Sequence, residues 1–141
     1  MIESGTTITW EAWDLKYKPN QDWNHAWGAA PANIIPRHLW GIRPKTAGFS
    51  VVSIQPQLAD LKHCTITYPT MRGAITCKYQ RISGRLKKYS IELPANMAGE
   101  MILDDQGESV VTINGKQSDP GFGSVRLRPG INLVEVRINS F

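Results

Sequence analysis

The chain has 141 residues, 41% of them hydrophobic and 20% charged, with a formal net charge of +4. That length suits one domain, or one domain with an attached piece, and the composition excludes wholesale disorder. The small charge excess gives nucleic acid little to hold, no apolar run nears the ~20 residues that cross a bilayer, and "MIESGTTI" lacks the basic start and apolar centre of a signal peptide.

In chain order, "GTTITWEAWD" (5–14) comes first and sets Glu11 between Trp10 and Trp13. Its "TTITWEAW" portion reads as the start of a helix, and "KYKPNQD" as the loop that follows. "NHAWGAAPANIIPRHLWGIRP" then places Trp27, Ala30, Ile34, Ile35, Leu39 and Trp40 at helical spacings of three and four. Asn24 is the candidate N-cap. Pro31 and Pro36 interrupt the run, which predicts a bent helix or two short ones in place of a straight rod. Gly41 and Pro44 supply the stop.

After Pro44 the period changes to two. "FSVVSIQP", "CTITYP", "AITCKYQRI", "KKYSIELP", "GEMILDD", "SVVTING", "SVRLRP" and "NLVEVRI" are short runs rich in Val, Ile, Thr and Tyr. Turn signals separate them at Ser83-Gly84, Asp105–Gly107, Asn114-Gly115, Pro120-Gly121 and Pro129-Gly130. About eight strands at this spacing predict a mainly β fold, an antiparallel β-sandwich over 45–141 preceded by one or two helices in 1–44. "VVTINGKQ" has the pattern of a hairpin with an Asn-Gly turn.

Charge and special side chains narrow the chemistry. Residues 1–44 hold four acids and four bases, so all the basic excess falls in 45–141. Part of it is Arg81, Arg85, Lys87 and Lys88 in "YQRISGRLKKYS", which reads as a solvated strand edge, with a phosphate-binding patch as the alternative. Cys64 and Cys77 form no CxxC pair and sit in strand-like runs, the setting of buried free thiols. His25, His38 and His63 lie in different elements without the spacing of a zinc site, so no metal or cofactor is expected. Trp10, Trp13, Trp23, Trp27 and Trp40 all precede Pro44. Indoles crowded beside carboxylates and amides suit the apolar faces and hydroxyl rims of sugar rings, although helix packing accounts for some of the five.

The order of "GTTITWEAWD", "NHAWGAAPANIIPRHLWGIRP" and "GFSVVSIQPQLADL…TYPTMRGAITCKY" closely resembles the C-terminal end of bacterial α-L-rhamnosidases. The resemblance rests on a Thr-Thr-x-x-Trp-Glu stretch, a downstream Asn-His, the Gly-Ile-x-Pro helix end and an Ile-x-Pro strand. It is strongest through Tyr79. Those enzymes are inverting glycoside hydrolases with an (α/α)6-barrel catalytic domain followed by a β-sandwich. The resemblance implies that 1–44 is the end of the barrel and 45–141 the C-terminal sandwich. It further implies that Glu11 is the general base, His25 a sugar-binding residue, and Trp10, Trp13 and Trp27 walls of the pocket. The implied substrate is a rhamnose-bearing glycoside or polysaccharide, and the implied partner of the sandwich is the barrel. The compartment is left open between bacterial periplasm and cytoplasm.

Three expectations follow, one from the chemistry and two from the resemblance. Indoles beside Glu11 would raise its pKa and basicity. The resemblance implies that the acid partner comes from an upstream Asp/Glu cluster whose motif Glu3, Asp14 and Asp22 do not match, so this chain by itself would be inactive. The loop 12–24, shorter than in some relatives, would reshape the rim of the pocket. Two other readings stand beside these: a carbohydrate-binding sandwich, disfavoured by strands without Trp, and an assembly module. Apolar helix faces without partners would drive self-association under any of them.

Overall fold

The computed structural model describes residues 3, 5–6, 8–103, 109–119 and 123–139. The chain forms two compact units, residues 1–35 and 36–141.

A helical run leads from the first unit into the second. It opens with a 3-10 turn at Ala26–Ala29, continues as helix α1 at Ala30–Ile34 and ends as a π turn at Ile35–Leu39. The two prolines explain the change of pitch. Pro31 stands in the first turn of α1, where a missing N–H costs nothing. Pro36 has no N–H to continue the α ladder, and its ring crowds the preceding turn, which widens into the π form. Gly41 stops the run at φ 66, and a Cβ there would lie 2.2 Å from the Gln55 carbonyl oxygen, so glycine is required twice over. The Ile42 N–H closes the end by donating to the Pro36 carbonyl at 2.8 Å.

Two local expectations are corrected. The N-cap is His25, in extended backbone with no side-chain cap bond, and not Asn24. The "TTITWEAW" stretch forms no helix among its described residues. β-Branched Thr and Ile resist helical packing there, and its amides instead find partners across the unit.

The second unit is a two-sheet sandwich. Its strands are β1 (Arg43–Pro44), β2 (Val51–Ile54), β3 (His63–Thr70), β4 (Gly73–Arg81), β5 (Leu86–Leu93), β6 (Ala98–Ile102), β7 (Ser109–Ile113), β8 (Lys116–Ser118), β9 (Ser124–Leu127) and β10 (Gly130–Ile138). All eight anticipated runs are strands. β8 is the second arm of the anticipated Asn-Gly hairpin, and the one addition, β1, is too short to show a period. One sheet has the order β3-β4-β5-β10-β7-β8 and is antiparallel throughout. The other has the order β1-β2-β6-β9, and within it β2 and β6 run parallel. A parallel pair needs a long crossover, here supplied by β3, β4 and β5 of the opposite sheet. Pro44, which cannot donate to a ladder, sits on edge strand β1.

Period-two alternation puts Ile75, Cys77, Tyr79, Tyr89, Ile91, Leu93, Val134 and Val136 of the larger sheet inward. Val52, Ile54, Met101, Val125 and Leu127 of the smaller sheet join them in one core. Trp40 and Ile42, just before β1, are buried in the same core. Burying an indole contributes about 4–6 kcal/mol before the entropy of ordering it is counted. The Asn114-Gly115 turn joins β7 to β8 with φ of 51 and 77, the paired positive values of a type I′ hairpin. The turns anticipated at Asp105–Gly107 and Pro120-Gly121 lie outside the described residues.

Arg81, Arg85, Lys87 and Lys88 gather on the β4–β5 hairpin, which is interior to its sheet and not a sheet edge. Two of these charges meet acids: Arg81 approaches Asp60 at 3.8 Å and Lys88 meets Glu135 at 2.6 Å. Cys64 and Cys77 are free, and burial pushes the Cys77 thiol up to about 12.

One buried polar residue organises the β9–β10 connection. The Asn132 side chain donates to the carbonyls of Ile91 (3.2 Å), Arg128 (2.8 Å) and Gly130 (3.1 Å), and accepts the Arg128 N–H at 2.9 Å. Asn132→Ala removes the partner of four backbone groups, the Ile91 carbonyl among them in a buried bond. It is expected to destabilise the sandwich by about 2–3 kcal/mol, read as a lower urea midpoint with unchanged slope.

Candidate active site

The first unit holds the candidate site, and its scaffold is a pair of antiparallel-like passages. Residues 9–12 run beside 21–28. The Thr9 N–H and hydroxyl both donate to the Gly28 carbonyl, at 3.3 and 2.7 Å, and the Glu11 N–H donates to the Asp22 carbonyl at 3.3 Å. The Ala12 N–H donates to the Gln21 side-chain oxygen at 3.1 Å, and Gln21 is buried. The rings of Trp10 and Trp23 stack at 5.9 Å, 10° from parallel. Gly28 is buried against Thr9: a Cβ there would lie 2.2 Å from the Thr9 carbonyl oxygen.

The connecting loop folds back through two turns. Asp14 makes the first, its side chain accepting the Lys16 N–H at 3.0 Å and its carbonyl accepting the Tyr17 N–H at 3.0 Å. That is the turn chemistry expected of an aspartate. The second closes where the Gln21 N–H donates to the Lys18 carbonyl at 3.2 Å. Lys18 is thereby aimed back at Glu11.

The Glu11 carboxylate is the electrostatic centre of the unit, with a side chain only 9% exposed. Oε1 accepts a charge-assisted hydrogen bond from the Lys18 ammonium. Oε2 accepts the Asp22 backbone N–H at 3.0 Å. His25 Nε2 stands 3.9 Å from Oε1, too far for a direct hydrogen bond, while the imidazole stacks on Trp27 at 3.8 Å. His25 Nδ1 is buried with no partner among the described residues.

These contacts reverse one expectation. Glu11 was expected to have a raised pKa; instead the Lys18 hydrogen bond, and after it the Asp22 N–H, hold its carboxyl below the ordinary value. The indoles do not govern it, because Trp10 is engaged with Trp23 and Trp13 is 94% exposed. Of the residues singled out from sequence, Glu11, His25 and Trp27 are brought together. Trp10 is in the adjoining stack, and Trp13 stands apart. Lys18 and Gln21 were not anticipated, and Trp23 and Asp22 were noted without the stacking on Trp10 or the backbone bond to Glu11 that they make. Lys18 lies in a loop without period, and only its charge distinguished it.

Comparison with known families and structures adds an independent line. The family model of the bacterial alpha-L-rhamnosidase C-terminal domain matches residues 41–118, and that of the bacterial alpha-L-rhamnosidase 6 hairpin glycosidase domain matches residues 1–39. The chain belongs to the bacterial alpha-L-rhamnosidase family. Among solved structures it is similar to an alpha-L-rhamnosidase from Dictyoglumus thermophilum, with TM-score 0.77 and 21% identity over 97% of this chain and 17% of that one. An alpha-L-rhamnosidase of Streptomyces avermitilis, solved with L-rhamnose, aligns with TM-score 0.70 and 22% identity over 96% of this chain and 14% of that one. The native enzyme of Aspergillus terreus gives 0.72 and 20%, over 98% and 15%. The chain thus spans less than a fifth of the length of these alpha-L-rhamnosidases, and at such identities they establish the fold. No curated protein matches the chain. Glu11, Lys18, His25 and Trp27 all fall in the span matched by the hairpin glycosidase domain of the rhamnosidase family.

Two measurements test this geometry. Gly28→Ala forces the Thr9 carbonyl to move and is expected to destabilise the first unit by about 1–3 kcal/mol, seen as faster amide exchange at Thr9 and Glu11 with the sandwich amides unchanged. Because the folded pKa of Glu11 is lowered, its contribution to stability is present above the carboxyl's unfolded pKa and is lost as pH falls through the folded one. Acid melts of the wild type are therefore expected to show a loss that Glu11→Gln does not.

Proposed function

We propose that this chain is the C-terminal part of an α-L-rhamnosidase that releases terminal α-L-rhamnose from glycosides or polysaccharides with inversion. In this reading residues 1–44 complete a helical catalytic barrel and 45–141 form a scaffold packed on it. The observation that carries the reading is the Glu11 carboxylate: a side chain 9% exposed, fixed at both oxygens, and lying in the span that matches a glycosidase domain. Glu11 is the general base. It takes one proton from a water whose oxygen attacks the anomeric carbon, while a carboxylic acid from the rest of the enzyme gives its proton to the departing glycosidic oxygen. Inversion places those two carboxyl groups about 6.5–9.5 Å apart, leaving room for the water. A water hydrogen-bonded to Glu11 Oε1 also comes within reach of His25 Nε2, since 3.9 Å is a distance that one water can bridge. Trp27, stacked on His25, and the exposed Trp13 supply apolar faces for a sugar ring.

Exposed Trp13, Trp23, Trp27, Ile34 and Ile35 give the first unit an apolar surface that suits packing on further helices. The same surface favours self-association of the chain by itself. The sandwich suits a scaffold better than a sugar-binding module, because Tyr79 and Tyr89 are buried in its core and present no platform. Phe122 and Phe141 lie outside the described residues.

The test is hydrolysis of p-nitrophenyl α-L-rhamnoside by the 141-residue chain and by a full-length enzyme carrying it. The chain alone is expected to show no turnover, and the full-length enzyme to release β-rhamnose as first product by proton NMR. Glu11→Gln in that enzyme is expected to lower kcat by about 10²–10⁴-fold. Turnover by the chain alone that depends on Glu11 would overturn the missing-acid part of the reading.

A further inference from the structure

We propose that Lys18 is a positioning residue for the base, a loop-borne ammonium that orients the Glu11 carboxylate and keeps it in the proton-accepting form under acidic conditions. The proposal deepens the reading of Glu11 as general base and rests on it. Three observations carry it. The Lys18 ammonium bonds directly to Oε1, while Oε2 is tied to the Asp22 N–H. The 14–21 loop is built to deliver that lysine, since the Asp14 turn and the Lys18–Gln21 turn fix the backbone on either side of it. Gln21, buried and bonded to the Ala12 N–H, anchors the loop beside the carboxylate.

The charged groups facing Glu11 among the described residues are few. Lys18 comes from the loop and His25 from the start of the helical run, with Nε2 at 3.9 Å. Asp22 contributes a backbone N–H and not its carboxylate. Lys18 is therefore the one in direct contact, and its side chain is 40% exposed. Such a residue can swing aside without unfolding anything. An inverting hydrolase works between the pKa of its base and that of its acid, so removing the ammonium narrows the window from the acid side alone. The alkaline limb belongs to the proton donor and stays where it is.

The test has two arms. In the 141-residue chain, carbon-13 carboxyl NMR follows the Glu11 titration in wild type, Lys18→Met and Lys18→Arg. The midpoint is expected to rise in Lys18→Met and to return toward wild type in Lys18→Arg. In the full-length enzyme the acid limb of kcat/KM is expected to move up by the same amount in Lys18→Met, with the alkaline limb fixed, and to be restored in Lys18→Arg. An unmoved Glu11 midpoint, or an unmoved acid limb in an enzyme that Glu11→Gln inactivates, overturns the role of Lys18 and leaves the base assignment standing. Full activity in Glu11→Gln overturns the base assignment itself. The arginine variant guards against misfolding, since a lysine needed only for folding would not give selective recovery of one limb.

Discussion

A carboxylate held at both oxygens organises the first unit. Lys18 takes one oxygen of Glu11 and the Asp22 amide takes the other, so a side chain, a loop and a returning passage converge on a single charge. The same residues carry the backbone pairing: the Glu11 N–H meets the Asp22 carbonyl, and the Ala12 N–H meets the Gln21 side chain. With little regular secondary structure to satisfy its amides, this unit relies on such side-chain bonds. The arrangement trades intrinsic basicity for ionisation. A carboxylate next to an ammonium is a weaker base than one walled by indoles, but it is deprotonated over a wider range of pH.

The sandwich solves a different problem. Its two sheets bury one continuous apolar face, and the parallel β2–β6 pair of the smaller sheet is connected through β3, β4 and β5 of the larger one. Trp40 and Ile42 extend that core beyond the strands into the segment that ends the helical run. The close approach of Gly41 to Gln55 and the bond from Ile42 to Pro36 fix the entry of the chain. Membership of the rhamnosidase family is consistent with this division, since the two family models meet at residues 39 and 41.

Much of the fold was legible because its signals are local. Strict alternation in "AITCKYQRI" and "NLVEVRI" marked β4 and β10, and the Asn114-Gly115 pair named its own turn through the positive φ both residues tolerate. Less of the site could be read. Glu11, His25 and Trp27 were marked by an order of motifs shared with the family, whereas Lys18 and Gln21 act across seven and nine residues of irregular loop, where no period exists to announce them. Neighbours in sequence misled in one respect: Trp10 and Trp13 bracket Glu11 along the chain, yet one stacks on Trp23 and the other stands in solvent.

The sequence by itself determined the mainly β class, the helical stop at Gly41 and the turn chemistry, because each depends on steric preferences within a few residues. It also carried the family, through the order of its motifs. Only the tertiary structure decided which strands became neighbours, where Trp40 packs, and how Glu11 is charged. Those depend on surfaces and charges brought together from distant positions, and the energy of a buried face or an ion pair is set by what stands opposite it in space.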